Sequence, residues 1–223
     1  MPARHSTVLA ALFATLVLAT AAPADAAAGP EPGHAAAGPA HARRAAKGSA
    51  LETFRKRHEA VLRLVHKRAT SAKIQREVDA LLDYRWIAQA ALGGAARYEK
   101  RCAPRCEEFE ALLTKLIREN YLKRIRLADK GELEYLGEQR RPRAAKVNTR
   151  VAFEKDGRTQ SIRIDYVMHQ VDGRWQVRDI ITDGVSLARN YKYEFNRILR
   201  DEGGIDALIT RLQTKLDELA KAP

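Results

Sequence analysis

The sequence predicts an α+β fold in which helices flank and cover a four-stranded antiparallel meander sheet. Apolar residues recur at helical spacing in residues 51–125 and again in residues 187–219. Between them, in residues 133–182, apolar and polar residues alternate as they do in half-buried strands. Two Asp-Gly pairs, Asp156-Gly157 and Asp172-Gly173, supply residues that tolerate the positive φ of tight hairpin turns. One apolar face of the sheet must therefore be covered by the helices.

The first 26 residues have the pattern of a secretory signal peptide. Arg4 precedes an uncharged apolar run over residues 8–22, and the small residues of Ala24-Asp25-Ala26 follow it. The run is too short to cross a bilayer comfortably. We therefore expect residues 1–26 to be removed on export, the alternative being an anchor that stays in the membrane.

The charge balance indicates anionic partners. Lys and Arg number 40 against 28 Asp and Glu, which gives a formal net charge of +12. This balance suits nucleic acid, acidic protein surfaces or phospholipid headgroups. Export argues against nucleic acid. Residues 27–48 are rich in Ala, Gly and Pro without apolar periodicity, so we expect a disordered leader before a folded domain over residues 49–219.

Three helices and a longer central helix are predicted before the sheet. Ser49 and Glu52 have the spacing of a capping box at the start of the first helix. Asp83 is placed to cap the third helix, residues 84–92. The third helix ends at Gly93-Gly94. The stripe of a helix is the set of residues predicted to lie on its buried face. The stripe of the first helix is Leu51, Phe54, His58, Val61, Leu62 and Val65, and that of the second is Ile74, Val78, Leu81 and Leu82. The stripe of the central helix is Phe109, Leu112, Leu113, Leu116, Ile117 and Tyr121.

The strands that follow are assigned by alternation. Leu133 and Tyr135 alternate with charged neighbours in the first strand. In the second strand, one face is formed by Val147, Thr149, Val151 and Phe153. In the third strand, one face is formed by Ile162, Ile164, Tyr166 and Met168. In the last strand one face is predicted to hold Trp175, Val177, Asp179 and Ile181, and the other Gln176, Arg178, Ile180 and Thr182. Asp183-Gly184 ends this strand, Ser186 is placed to cap a helix from Leu187, and a final helix follows.

The last strand and the helices after it carry a family resemblance. Residues 175–187 read Trp-x-Val-x-Asp-Ile-x-x-x-Gly-Val-Ser-Leu, and Asn190-Tyr191, Phe195-Asn196-Arg197-Ile198-Leu199 and Gly204-Ile205-Asp206-Ala207-Leu208-Ile209 follow. This ordered series resembles the MlaC family of periplasmic phospholipid-binding proteins, densely over residues 149–219 and more weakly over residues 51–121. The architecture also resembles the nuclear transport factor 2-like fold, with its cone-shaped pocket.

The resemblance implies a soluble periplasmic carrier that shuttles phospholipid between the outer and inner membranes. Its expected partners are an inner-membrane MCE-type ABC transporter complex and an outer-membrane lipoprotein complex. The resemblance implies neither catalysis nor a cofactor. Hopanoid or another hydrophobic lipid is an alternative ligand. The alternative classes are an exported enzyme of the nuclear transport factor 2-like kind and a scaffold whose sheet face is only core.

The expected pocket lies between the sheet and the central helix. From the residues alone this apolar face would be packed core, because cores use the same side chains; the resemblance favours a space held open for acyl chains. Bulky, unbranched or aromatic side chains suit lipid tails. The residues expected to contact lipid are Phe109, Leu113, Ile117, Tyr121, Val151, Phe153, Ile164, Tyr166 and Met168.

Two other groups of residues have functional interpretations. Cys102 and Cys106 are the only thiols, and in an oxidising compartment an even count favours a disulfide, with a free pair as the alternative. A zinc site would need two more ligands, and a redox motif would have two residues between the cysteines rather than three. The MlaC family usually has an aromatic-rich turn at this position. The basic cluster of Arg140, Arg141 and Arg143 is either a solvated face or a docking surface for anionic headgroups or acidic partners.

Acidic residues and one histidine suggest the enzymatic alternative. Asp165, Asp179 and Asp183 lie near His169 in sequence, and related pockets use such groups for proton transfer. Alternation directs Asp165 away from the apolar face, Asp183 is a turn residue, and His169 falls on the outer face. No base converges with the three acids, so no catalytic residue and no metal site are expected.

Overall fold

A computed structural model describes residues 48–128, 132–155 and 157–221 of the protein. The predicted signal peptide (residues 1–26), all but the last residue of the predicted leader (residues 27–48) and Asp156 of the first Asp-Gly pair lie outside the described residues. In the part of the chain that is described, no helix is both long enough and apolar enough to cross a bilayer.

The described residues form seven helices, five before the sheet and two after it. The first five are α1 (Ala50–His66), α2 (Ser71–Leu81), α3 (Tyr84–Ala91), α4 (Ala95–Cys102) and α5 (Cys106–Ala128). The last two are α6 (Leu187–Asp201) and α7 (Gly204–Lys221). The α+β order predicted from the sequence is therefore confirmed.

Side-chain caps form at the predicted helix starts. The Glu52 backbone N–H donates to Ser49 Oγ at 3.0 Å while the Ser49 backbone N–H donates to Glu52 Oε2 at 3.1 Å, which completes the capping box of α1. The Trp86 backbone N–H donates to Asp83 Oδ1 at 3.1 Å at the start of α3. Such caps satisfy backbone donors that have no partner within the helix.

Helix α4 was not predicted. Only Tyr98 and Cys102 are buried along its eight residues, and two apolar positions one turn apart are too few to register as a stripe. The glycines before it, Gly93 and Gly94, have φ of 91° and 103°, so they end α3 and turn the chain into α4.

The sheet is an antiparallel meander in the order β1 to β5. Its strands are β1 (Glu132–Arg141), β2 (Ala144–Lys155), β3 (Arg158–Val171), β4 (Arg174–Thr182) and β5 (Val185–Ser186). The first four strands are those predicted, and β5 is a two-residue return that pairs Ser186 with Ile181 around the Asp183-Gly184 turn. Asp183 and Gly184 have φ of 46° and 86°, the left-handed conformation that these residue types tolerate.

A β-bulge in β4 corrects the predicted faces of that strand. Met168 pairs with Val177 and Val167 pairs with Asp179, so Arg178 is an extra residue without a partner on β3. Trp175 and Val177 share the inner face as predicted, but beyond the bulge Ile180, rather than Asp179, lies inward. The prediction for Asp179, Ile180, Ile181 and Thr182 was therefore wrong, because alternation alone cannot reveal an inserted residue.

Helix α1 lies against the sheet and is tied to it at its start. The Trp175 indole N–H donates to the Gly48 carbonyl at 3.2 Å, and the Leu51 backbone N–H donates to Glu138 Oε2 at 2.7 Å. The Phe54 ring then packs on the Tyr166 ring of β3, with centroids 4.1 Å apart. The closest backbone approaches of α5, in contrast, are to other helices: α1, α2, α3, α4 and α7.

Candidate functional site

The inner faces of β2 and β3 form one continuous apolar surface. Direct partners in an antiparallel pair share a face, and the register pairs Val147 with Tyr166, Thr149 with Ile164 and Val151 with Ile162. The predicted faces of these two strands are therefore confirmed.

The cover of this surface changes along the strands. Met168 and Tyr166 are buried, with 0% and 6% of their surface exposed. Towards the β2–β3 turn, the inner-face side chains are only half-buried: Val151, Phe153, Ile162 and Ile164. Beyond them, residues 158–161 are exposed. An apolar face thus leaves the core and reaches solvent at this end of the sheet, and we call these four residues the half-buried strip.

Seven of the nine predicted contact residues belong to, or pack on, the main apolar cluster. Six are buried in it, namely Phe109, Leu113, Ile117, Tyr121, Tyr166 and Met168, and Ile164 packs against it. The remaining two, Val151 and Phe153, are half-buried on the same face of β2, nearer the β2–β3 turn.

The predicted stripe of α5 faces two different surroundings. Near its start, the Phe109 ring contacts Tyr98 of α4 and Phe195 of α6, with centroid distances of 6.3 and 5.9 Å. These contacts place Phe109 in a helical cluster. Tyr121, three turns later, lies close enough to the phenols of Tyr135 on β1 and Tyr166 on β3 to interact with them electrostatically. The end of α5 nearer Tyr121 is therefore the part whose neighbours include residues of the sheet.

An aromatic group outside the predicted contact residues lies beside Tyr166. Phe54 stacks on His58, with centroids 5.4 Å apart, and His58 Nδ1 lies 3.2 Å from the Tyr135 hydroxyl. Burial lowers the pKa of His58 to about 4 and raises that of Tyr135 to about 12. Both groups are therefore neutral near pH 7. Phe54 and His58 are one turn apart on the buried face of α1. This spacing in the sequence predicts that the two rings are neighbours.

The Tyr121 hydroxyl is buried without a hydrogen-bond partner among the described residues. Only 7% of the residue is exposed. Burial raises the pKa of Tyr121 well above its usual 10, with smaller contributions from Tyr166, Tyr135 and Tyr84, so the phenol stays protonated. An unpaired buried hydroxyl costs about 1–3 kcal/mol, so it requires an explanation.

The acidic residues that suggested an enzyme have structural partners. Asp165 lies on the outer face and accepts from Asn148 Nδ2 at 2.8 Å and from Arg163 Nε at 3.1 Å. Asp183 Oδ1 accepts from the Arg163 backbone N–H at 3.0 Å, as suits a turn residue. Asp179 lies at the start of α6, where its carboxylate accepts from the Ser186 hydroxyl and from the Ala188 backbone N–H. Each carboxylate is thus engaged away from the inner face.

His169, on β3, packs against a side chain of α3. Its ring stacks on Trp86, with centroids 6.4 Å apart and planes 20° from parallel. Arg178, released by the bulge, donates to Asp83 Oδ2 at 2.9 Å, and its guanidinium lies 5.4 Å from the Trp86 ring centre. Burial and the Arg178 charge lower the pKa of His169. Within the described residues, no group of three His, Cys, Asp or Glu side chains is arranged to hold a metal ion.

Cys102 and Cys106 are joined by a disulfide across the turn between α4 and α5. Around it, the Tyr98 hydroxyl oxygen lies 3.3 Å from the Cys106 carbonyl oxygen, and Arg105 Nη1 donates to Asp206 Oδ1 of α7 at 2.5 Å. These contacts join helices to one another, so the disulfide lies in the helical layer.

The predicted docking arginines lie at the opposite end of β2 from the half-buried strip. Arg140, Arg141 and Arg143 are exposed around the β1–β2 turn, whereas the strip approaches the β2–β3 turn. The 12 residues of β2 separate the two turns by ~36 Å, at ~3.3 Å per residue. The Arg140 guanidinium lies 5.9 Å from the centre of the Trp175 ring, so this residue also takes part in packing.

Comparison with known proteins places the chain in a family. A family model described as MlaC protein matches residues 56–214, well over half of the chain. No curated protein matches significantly. Among solved structures, a phospholipid-binding protein from Ralstonia solanacearum in complex with a phospholipid is similar in fold, with a TM-score of 0.64 and 20% identity. The match covers 78% of this chain and 100% of that one. The chain belongs to the MlaC family.

Proposed function

We propose that this protein binds a phospholipid by its acyl chains along the inner face of the sheet and carries it through the periplasm. The observation that carries the proposal is the course of that face, which runs from buried Met168 and Tyr166 to the half-buried strip. A closed core would bury the same apolar residues along their whole length. Membership of the MlaC family and the phospholipid complex of the structural neighbour support this ligand class.

The energetics of tail binding fit an apolar face without a cluster of polar groups. Burial of each CH₂ contributes about 0.8 kcal/mol, so a dozen buried methylenes supply on the order of 10 kcal/mol. Part of this is lost in ordering the tails and the protein. The affinity therefore depends on apolar area, and the charged headgroup stays at the end where the strip meets solvent. Arg158 is exposed at that end, so a cation is available near an anionic headgroup.

A carrier of this kind needs donors and acceptors of lipid rather than a reaction. We propose that the mature protein exchanges lipid with an inner-membrane MCE-type ABC transporter complex and an outer-membrane lipoprotein complex. Its role would be that of the substrate-binding component, with the energy supplied by the transporter. The structural partners of Asp165, Asp179 and Asp183 favour this binding role over the enzymatic alternative.

Native mass spectrometry of protein purified from the periplasm tests this proposal. We expect one co-purified phospholipid per protein, identified by tandem fragmentation, and its recovery when delipidated protein is mixed with phospholipid vesicles. N-terminal analysis of the same sample should show a start near Ala27. A polycyclic lipid in place of phospholipid would support the hopanoid alternative, and protein that neither retains nor takes up any lipid would refute the carrier.

A further inference from the structure

Three buried or half-buried tyrosines have a polar partner for the hydroxyl, and Tyr121 differs from them. The Tyr84 hydroxyl donates to Asp79 Oδ1 at 3.0 Å, the Tyr98 hydroxyl donates to Glu110 Oε2 at 3.0 Å, and the Tyr135 hydroxyl lies 3.2 Å from His58 Nδ1. Tyr121 has no such partner among the described residues, although only 7% of it is exposed. A phenylalanine would fill the same volume without a polar atom to satisfy.

Tyr121 is buried in the apolar cluster against which Ile164 of the half-buried strip packs, so a ligand that runs inward along the strip would approach this residue. Tyr166 is buried in the same cluster and lies two residues beyond Ile164 of the strip, a spacing of ~7 Å along β3. The neighbours of Tyr121 in α5, Ile117 and Leu122, are apolar and only 4% and 3% exposed. A ligand that enters this region must itself supply the acceptor for the Tyr121 hydroxyl.

The chemistry of a glycerophospholipid limits what that acceptor is. The charged phosphate stays near solvent because its burial without a paired cation is costly. The methylene chains have no acceptor. The groups between them are the ester carbonyls, whose oxygens are good acceptors for a neutral phenol.

Resting on the proposed function, we infer that the Tyr121 hydroxyl donates a hydrogen bond to an ester carbonyl of the bound lipid. The site then recognises acyl esters in addition to apolar chains. It would discriminate against dialkyl ether lipids of the same headgroup and chain length, because an ether oxygen is a poorer acceptor and lies nearer the glycerol carbon. In the lipid-free protein the same hydroxyl has no hydrogen bond to lose to any described residue.

The test compares two ligands on two proteins. Delipidated wild-type protein and Tyr121→Phe are titrated calorimetrically with dioctanoyl phosphatidylglycerol and with its dioctyl ether analogue. We expect the wild type to bind the diester about five- to tenfold more tightly than the diether, the usual size of one net hydrogen bond. Tyr121→Phe should bind the two lipids within about twofold of each other. Using the ratio of two lipids cancels changes that affect both equally.

Tyr84→Phe is the matched control. It also removes a phenol oxygen, but one that is paired with Asp79, so it should lose stability in urea and keep the ester preference. Tyr121→Phe should unfold at the same or higher urea concentration than the wild type, because no protein hydrogen bond is lost. A wild type without an ester preference, a Tyr121→Phe protein that keeps it, or an equal loss of both lipids would overturn the inference. Failure of the wild type to bind either lipid would instead refute the proposed function.

Discussion

The hydroxyl of Ser186 donates a 2.6 Å hydrogen bond to Asp179 Oδ2, which ties the start of α6 to the last long strand of the sheet. Asp179 Oδ1 also accepts from the Ala188 backbone N–H at 3.0 Å, while Ser186 Oγ accepts from the Arg189 backbone N–H at 3.1 Å. Two side chains thus satisfy the first free donors of α6. This arrangement gives a physical reason for the Asp and the Ser in the sequence Asp179-Ile180-Ile181-Thr182-Asp183-Gly184-Val185-Ser186.

Removing the Asp179 carboxylate should therefore destabilise the fold. We expect Asp179→Ala to lower the free energy of unfolding by about 1–3 kcal/mol, because it removes a helix cap and leaves the Ser186 hydroxyl and the Ala188 N–H without their acceptor. Urea unfolding of delipidated protein measures the effect. Asp217→Ala, at an exposed position of α7, is the control and should unfold like the wild type. Equal behaviour of the two variants would contradict the capping role.

The Cys102–Cys106 disulfide should stabilise the fold without affecting the ligand. It closes a short loop, with a sequence separation of 4, for which loop entropy alone gives about 2 kcal/mol. Replacing both cysteines with Ala should lower the urea midpoint accordingly and leave the lipid content per protein unchanged, because the bridge lies in the helical layer. Peptide mapping of exported protein should find the two thiols oxidised. Lipid lost from a folded double variant would place this turn in the site instead.

Stability should fall in mild acid because of His58. Its pKa is lowered to about 4 in the folded protein by burial, against 6.5 in the unfolded chain, so the unfolded state binds more protons between these values. Unfolding therefore becomes easier as the pH falls from about 6.5 towards 4, by about 2 kcal/mol between pH 7.5 and pH 5. In His58→Gln this pH-dependent part should disappear. His169, whose pKa is also lowered, acts in the same direction and remains in both proteins. A variant with the same pH slope as the wild type would rule out His58 as the source.

Charge-reversal variants test which end of the sheet docks on an anionic membrane. Arg141→Glu with Arg143→Glu should slow lipid transfer to anionic vesicles, and the defect should shrink as salt rises, because exposed charges are screened. Arg140 is left unchanged since it packs over Trp175. Arg158→Glu, at the other end of β2, is the comparison. If Arg158→Glu alone slows transfer, docking occurs at the half-buried end and the assignment to Arg141 and Arg143 is wrong.

The sequence was sufficient for features that depend on local chemistry. The Asp172-Gly173 and Asp183-Gly184 turns, the Ser49 and Asp83 caps, and the paired faces of β2 and β3 all follow from residue type and spacing. These signals act within a few residues, so no tertiary information is needed to read them.

Features set by tertiary contacts could not be predicted in the same way. The bulge at Arg178 coincides with its ion pair to Asp83 and its contact with Trp86, both far away in sequence. The contact between Phe54 and Tyr166 likewise depends on how α1 is tied to the sheet. Phe109 of α5 lies among helices, whereas Tyr121 lies nearer to strands, and this difference depends on the packing of α4 and α6. Helix α4 could not be predicted because its sequence has too few apolar positions.

The central claim is that the inner face of the sheet is open to lipid at its half-buried end, and Ile164→Trp tests it most directly. Ile164 is half-buried on that face, and Leu136→Trp, at a bulge of β1 where 41% of the leucine is exposed, is the matched control. Urea unfolding of delipidated protein is measured together with lipid per protein after purification. We predict that Ile164→Trp leaves the urea midpoint nearly unchanged while bound lipid falls sharply, and that Leu136→Trp changes neither. A loss of about 1–3 kcal/mol in stability with normal lipid content would mean that this face is packed core, and would contradict the account.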